Sequence, residues 1–333
     1  MHLSVYTHAD AFDALAADWH ALLKSAPFDT VFYTPRWQRL TWDEFGAGQL
    51  CIVTVRDDAG ALIGVAPLAF HEGVAGFAAY KEISDYLDFV VAAGRQAEVY
   101  QALAGWLTSA EAPAWTTLSL TNVIESSGVF GAFADTLRAT GCQIETPAED
   151  VCPIIPLPSS FEAYLDSLDG KERRELQRKL RRASEESGVV YATDASTLDR
   201  DIDDFLTLMK ASMTTKNDFM TPRMEAFFHK MARAMRDAGW LQLSFLEVGD
   251  EAPRTRAAAY LNFIYNNAVL VYNSGLDPMK FAHLSPGQVL IARLIEQSIA
   301  DKRSAFDFLQ GNESYKYKLG GKNVMLKTLI AKR

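Results

Sequence analysis

Cysteine is scarce in this chain: among 333 residues there are three, Cys51, Cys142 and Cys152. They are odd in number, far apart and without a C-x-x-C spacing, which argues against a disulfide framework or a structural zinc site. Buried free thiols in a reducing compartment are the expectation. The six histidines form no H-x-x-x-H pair, so no catalytic metal is expected. A G-x-S-x-G elbow and a Walker loop are both missing. No apolar run approaches the ~18–20 residues that span a bilayer. Met1 to Tyr6 lacks the basic region and apolar stretch of a signal peptide, and the cytoplasm follows as the expected location. Positive charge is in deficit, 33 Lys and Arg against 42 Asp and Glu, for a formal charge of −9. A general nucleic-acid binder is therefore not expected, although an acidic total permits one local basic site.

The composition is that of a folded globular protein, with 49% apolar and 23% charged residues and no low-complexity tract. The length favours two domains. In the first half, Phe12, Leu15, Trp19 and Leu22/Leu23 predict an amphipathic helix over 11–24, and Pro35 opens a second one. Strands are expected at 49–56 and 61–70 around the turn 57–60, then at 85–91 and 115–121. Helices are expected at 95–108 and 127–140, the latter stopped by Gly141. Prolines at 147, 153, 156 and 158 make 146–160 an extended connector. Helices then occupy 160–184, 199–212 and 221–238. Strands follow at 240–248, 256–265 and 268–275, with a turn at 247–253. A helix at 285–301 and strands at 305–309 and 323–331 complete the chain. The halves share a hydrophobic pattern, which points to a duplicated α/β unit.

Three stretches carry candidate chemistry. Ser285-Pro286-Gly287 opens a helix, with Ser285 suited to the N-cap and Pro286 to the first helical position. Free amides there, with Gln288 beside them, favour an anion such as a phosphate, unless the segment is an ordinary capped helix. The short strand at 305–309 ends in Gln310-Gly311-Asn312-Glu313-Ser314-Tyr315-Lys316, where polar side chains crowd beyond a strand terminus. Asp307, between Phe306 and Phe308, points away from their buried face; Asp307 and Glu313 can also simply pair with Lys316 or Lys318. Finally, Lys171–Arg182 holds seven Lys or Arg in twelve residues. Arg174, Arg178 and Arg181 recur on one side and suit an anionic ligand; internal pairs such as Glu175–Lys179 are the competing account. Tyr33, Trp37 and Trp42 build either core or an acyl or sugar cleft.

The run Asp307-Phe308, Gly311-x-Glu313-x-Tyr315-Lys316 resembles the C-terminal half of CelD-like acetyltransferases of the GNAT superfamily, relatives of the FemAB-type aminoacyltransferases. The basic helix from Lys171, the stretch Ile63–Leu68 and Asp85-Tyr-Leu-Asp88 resemble the same family, so the likeness spans nearly the whole chain in short motifs. The pyrophosphate loop departs from the family pattern: Leu284-Ser-Pro-Gly287-Gln288-Val289 lacks its first basic or amide position and its last small residue.

The resemblance implies an α/β (α+β) chain of tandem GNAT-like domains, 1–152 and 153–333, each a mixed, mostly antiparallel sheet flanked by helices. It implies acyl transfer from acetyl-CoA or another acyl-CoA to an amine or hydroxyl on a small-molecule, sugar-linked or lipid-linked acceptor, in polysaccharide or envelope biosynthesis. Such transfer needs a base, oxyanion donors and an acid. Glu313 or Asp307 is the expected base, amides of Tyr272, Asn273 and Ser274 the oxyanion donors, and Tyr315, with Tyr317 behind it, the acid. Lys316 is expected to hold a phosphate or carboxylate. Ser285, Gly287 and Gln288 face the donor; Asp85, Asp88 and Trp37 face the acceptor. An aminoacyl-tRNA-dependent transferase and a non-catalytic binding module for polysaccharide assembly are the alternatives.

Overall fold

The computed structural model describes residues 1–184, 187–191, 194–249 and 254–333. It forms two compact units, Met1–Val151 with Val324–Arg333, and Cys152–Asn323. The segment Val324–Arg333 thus groups with the first unit, whereas the sequence reading counts it in the half 153–333.

The first unit contains β1 (His2–Tyr6), α1 (Ala11–Ala14), α2 (Ala16–Leu23), α3 (Pro35–Phe45), β2 (Gln49–Arg56), β3 (Leu62–His71), β4 (Val74–Phe77), β5 (Val90–Val91), α4 (Gln96–Thr108), β6 (Thr117–Ile124), α5 (Ala132–Ala139) and β7 (Gln143–Glu145). Its sheet runs β1-β2-β3-β4-β6 and then the chain's last strand, Lys322–Lys332; β4 and β6 are parallel and the other neighbours antiparallel. The β2–β3 hairpin closes where the Asp57 carboxylate accepts the Ala59 and Ala61 amides, the local bonding that favours Asp in turns. Thr34 accepts the Trp37 amide at 3.2 Å and caps α3, with Pro35 at its first position. Val99, Leu103 and Leu107 of α4, with Phe133 and Leu137 of α5, recur at helical spacing and bury against Val53, Val55, Leu68 and Leu118. Each such side chain contributes about 1.5–3 kcal/mol of burial.

The second unit begins within β8 (Ala148–Pro156) and continues through α6 (Phe161–Ser167), α7 (Gly170–Ala183), β9 (Ser187–Tyr191), α8 (Leu198–Ser212), α9 (Thr214–Phe219), α10 (Pro222–Asp237), β10 (Leu241–Val248), β11 (Thr255–Tyr265), β12 (Ala268–Leu276), α11 (Pro286–Ala300), β13 (Ala305–Asp307) and α12 (Ser314–Lys318). β14 is the last strand already placed. Its sheet order is β8-β13-β12-β11-β10-β9, with β12 and β13 parallel and the rest antiparallel. One core joins α6, α7 and α11 to residues such as Leu246, Tyr260, Val269 and Val271. α8 packs on β11 and β12, and α10 on β10. Gly275 makes the α8 contact close: a Cβ there would lie 2.3 Å from the Met209 amide nitrogen. Both units are therefore mixed, mostly antiparallel sheets flanked by helices.

Several expectations change. Residues 146–160 are extended as expected, but they include a sheet strand and not only a connector: β8 pairs Ile154 with Asp307 and Pro156 with Ala305. Proline forfeits only its donor, and the Pro153 carbonyl still accepts the Phe308 amide at 2.9 Å. Within 85–91 only Val90–Val91 is strand. β1, β4, β7, β9, α9 and α12 go unpredicted; four are strands of three to five residues, and α9 and α12 are helices of six and five residues, too short for periodicity to register. The expected turn at 247–253 lies partly outside the described residues.

Candidate active site

α7 has two faces. Leu176, Leu180 and Ala183 are buried in the core, and Lys171, Arg174, Glu175, Arg178 and Lys179 turn into a cleft of about 530 Å³. The spacing of three and four residues puts them on one stripe. Glu172, Gln288, Tyr315 and Lys318 complete the walls, giving five cations against two carboxylates. Glu175 bonds Arg178 at 2.9 Å and Lys179 at 3.0 Å. Lys179 also donates to the Gln288 side chain. The internal pairs expected from the sequence thus exist, and an excess of positive charge remains. Arg181 is exposed and is not among the wall residues, because it sits a further turn along the helix.

Beyond β13 the chain is tied down by one lysine. Lys316 is 3% exposed, and its ammonium donates to the carbonyls of Leu309 (3.2 Å), Gln310 (2.6 Å) and Gly311 (3.1 Å) and pairs with Glu313 at 3.0 Å. Its three protons are committed, so it is not the expected phosphate or carboxylate holder. Asp307 is buried and accepts the Leu309 amide at 2.8 Å. It holds Leu309 in the left-handed region, which corrects its reading as a cleft-facing base. Gly311 has φ +113°, and a Cβ there would meet the Glu313 carboxylate at 2.5 Å. The glycine is thus required for the turn that folds Glu313 back.

That carboxylate is 57% exposed, which removes the expected burial at Glu313. Tyr315 stands edge-on to Phe308 with ring centroids 6.1 Å apart. Burial raises its phenol pKa, and Glu313 adds to the rise, so the phenol keeps its proton. Tyr260 on β11 is buried, and its pKa rises well above 10 through burial and the nearness of Tyr315 and Glu313. Tyr317 is exposed.

A residue not predicted from the sequence lies at the end of β12. Lys216, on α9, donates to the Ser274 carbonyl at 2.6 Å and to its hydroxyl at 3.3 Å. Burial pushes its ammonium down to about 8; Glu313 opposes that shift and Lys316 assists it. In the sequence, the polar run Thr214–Asp218 carries no sign separating it from a solvated connector. The strand it touches is irregular. Leu261 faces Asn273 and Asn262 faces Val271, so Tyr272 is the extra residue of a bulge. The pairing of β12 with β13 stops two residues earlier, at Leu270 and Asp307. The Tyr272 ring packs on Phe263 (4.8 Å) and Phe228 (6.1 Å), and the Ser274 amide bonds to Asn273 Oδ1 at 3.1 Å. Of the expected oxyanion amides, that of Ser274 is thus taken up by Asn273.

The start of α11 offers fewer free amides than an ordinary helix start. A helix start leaves four amides without helical partners. Here Ser285 bonds to the Ala282 carbonyl, Pro286 has no N–H, and Gln288 bonds back to the Ser285 carbonyl at 3.0 Å. Ser285 is left-handed and its side chain makes no cap bond. A Cβ on Gly287 would stand 2.9 Å from Leu276, so that glycine serves packing.

In the first unit, Trp37 is fully buried, stands edge-on to Phe32 at 5.0 Å and donates its indole N–H to Ser84 at 2.9 Å. It is core rather than acceptor-facing. Asp85 and Asp88 are half-buried in the loop before β5; Asp88 lines a second cleft. Among the described residues no cluster able to hold a metal ion occurs, and no helix is long and apolar enough to cross a membrane.

Residues 170–317 match the acetyltransferase (GNAT) domain family. That segment is similar to a GNAT domain. The matched segment contains Arg174, Lys216, Tyr260, Glu313 and Tyr315, and so most of the cation-lined cleft and the cluster at the end of β12. The whole chain is similar in fold to the crystal structure of FemX, at 14% identity over 98% of this chain and 97% of that one, with a TM-score of 0.69. It is similar to the C-terminal domain of a putative lysylphosphatidylglycerol synthetase from Agrobacterium fabrum, at 7% identity over 96% and 92%, TM-score 0.60. L-PGS from Bacillus licheniformis gives 10% identity over 95% and 91%, TM-score 0.57. These likenesses show a shared fold along the full chain. No curated protein sequence matches.

Proposed function

We propose that the chain is an N-acyltransferase that moves an acyl group from acetyl-CoA or another acyl-CoA to an amine on a small-molecule, sugar-linked or lipid-linked acceptor. The observation that carries this reading is the meeting of Lys216, Tyr260, Glu313 and Tyr315 where the β12–β13 pairing ends, with Tyr315 also in the wall of the cationic cleft. Glu313, on the exposed rim, draws in the acceptor as an ammonium. Lys216 is suited to removing its proton: a neutral amine has two N–H donors for the two Ser274 oxygens, which leaves the lone pair free. The acceptor nitrogen then attacks the thioester carbon, the C–S bond breaks, Tyr315 gives its proton to the departing thiolate, and the nitrogen's surplus proton restores the Tyr315 phenol. Lys171, Arg174, Arg178 and Lys318 hold the donor's phosphates. Three buried free thiols suit a cytoplasmic setting.

A second reading, aminoacyl transfer from aminoacyl-tRNA, draws on one specific feature. The basic surface of α7 extends past the cleft through exposed Arg181 and Arg182, while the α11 start offers fewer free amides than an ordinary helix start. Thermal denaturation separates the two. Acetyl-CoA at about a hundred times its dissociation constant should stabilise the protein by about 2.7 kcal/mol, and Arg174→Gln with Arg178→Gln should abolish that gain. A shift with aminoacyl-tRNA alone would favour the second reading. No shift with either would leave a non-catalytic binding module.

A further inference from the structure

The first unit has a cleft lined by none of the residues given a role in acyl transfer above. It encloses about 400 Å³, and its walls include Phe28, Tyr33, Phe89 and Tyr100, with Asp88 and Ser127 between them. The aromatic wall is built closely. A Cβ on Gly128 would stand 2.6 Å from the Tyr100 ring, so glycine at that position lets the ring lie against the backbone. Phe89 and Tyr100 approach each other at 6.4 Å, and Phe28 and Tyr33 at 5.8 Å.

Asp88 is organised as an anion yet has no cation. Its Oδ1 accepts the Phe89 amide at 2.7 Å, and the Ser127 hydroxyl bonds to it. Ser127 Oγ accepts the Val129 amide at 3.1 Å and is bonded to the Tyr100 hydroxyl. Ser127 thus joins Asp88 to Tyr100. Among the described residues no Lys, Arg or His pairs with Asp88. Burial pushes its carboxyl up to about 7 against those hydrogen bonds. A desolvated carboxylate with no counter-charge costs stability, and such groups cluster where a partner arrives. One carboxylate and one serine offer too few oxygens for a divalent metal ion. Aromatic faces around a carboxylate are the chemistry that recognises an organic cation.

We propose that this cleft binds a small organic ammonium compound, a primary amine on an apolar or ring-bearing body, with Asp88 as counter-ion and the aromatic rings as walls. A neutral ligand of the same shape would fill the space but leave the carboxylate unpaired. Calorimetric titration at pH 8 with phenethylamine and its neutral counterpart 2-phenylethanol tests this. The native protein should bind the amine at least tenfold tighter than the alcohol. Asp88→Asn, whose fold is checked by its melting temperature, should bind both equally. Phe28→Ala, which keeps the carboxylate, should weaken both ligands. Equal binding of amine and alcohol by the native protein, no binding of the amine, or an amine preference that survives in D88N would overturn the proposal. None of these outcomes depends on the donor, so the acyl-transfer reading stands or falls separately.

Discussion

The two clefts answer the same problem, a charge near the protein interior, in opposite ways. In the second unit the buried charge is Lys316, and the fold satisfies it with three carbonyls and Glu313. In the first unit it is Asp88, which has hydrogen bonds but no cation. The satisfied group is structural. The unsatisfied one has chemistry left to offer. Lys216 belongs with Asp88 in this respect, since Ser274 supplies two neutral acceptors and leaves part of its desolvation uncompensated.

The sharpest way to break this contrast is to remove each charge. Lys316→Met leaves three carbonyl acceptors stranded and should lower unfolding free energy by about 3–5 kcal/mol, read by urea denaturation. Asp88→Asn should do the reverse at pH 8, raising stability by about 1–2 kcal/mol once the cleft's access to water is allowed for. The sign follows from the raised carboxyl. Between the unfolded value of about 3.9 and about 7, the native protein holds the extra proton, so native stability falls as pH rises through that window. The advantage of D88N should therefore vanish below pH 4. A destabilised D88N at pH 8 would mean that Asp88 has a counter-charge after all.

The next effect tests whether Tyr315 differs in kind from the phenol of the other cleft. Tyr315→Phe keeps the ring against Phe308 and removes the proton donor. Turnover should drop about a hundredfold, equivalent to ~2.7 kcal/mol, with donor affinity unchanged. Steady-state kinetics with a direct binding measurement would decide it. A rise in KM alone, with kcat intact, would place Tyr315 among the groups that hold the donor.

Legibility in the sequence followed physical scale. The long amphipathic helices and the β2–β3 and β11–β12 hairpins could be read from periodicity and turn residues because their burial patterns repeat over eight residues or more. The strands β1, β4, β7 and β9 were too short to show one. The run Asp307–Lys316 was conspicuous, but sequence places residues near one another without saying which atoms are already satisfied. The carbonyls that occupy Lys316 become visible only when the turn at Gly311 is closed. Lys216 stands far along the chain from Ser274 and Glu313, and its depressed ammonium depends on tertiary burial, which no local pattern records.

The smallest expected effect is the most diagnostic for Lys216. If its neutral amine accepts the acceptor's proton, kcat/KM should climb with pH until about 8 and level off above it, with about a tenth of the plateau rate at pH 7. Glu313 and Lys316 face the same amine. Glu313→Gln removes the charge that supports the ammonium and should move the limb to lower pH. Lys216→Arg can still donate to the Ser274 carbonyl but cannot lose its proton near neutrality. A purely structural lysine tying α9 to β12 would leave that variant active with its profile unchanged; a base would leave it slow and flat across pH 7 to 9. Stability gives an independent check of sign. The unfolded lysine titrates near 10.4, so between about 8 and 10.4 the unfolded chain holds more protons than the native one. Native stability should then rise with pH across that window relative to K216R, whose guanidinium does not titrate there. If the native protein shows no such rise while its rate profile keeps the limb at 8, the limb belongs to the acceptor's own amine and Lys216 is not the base.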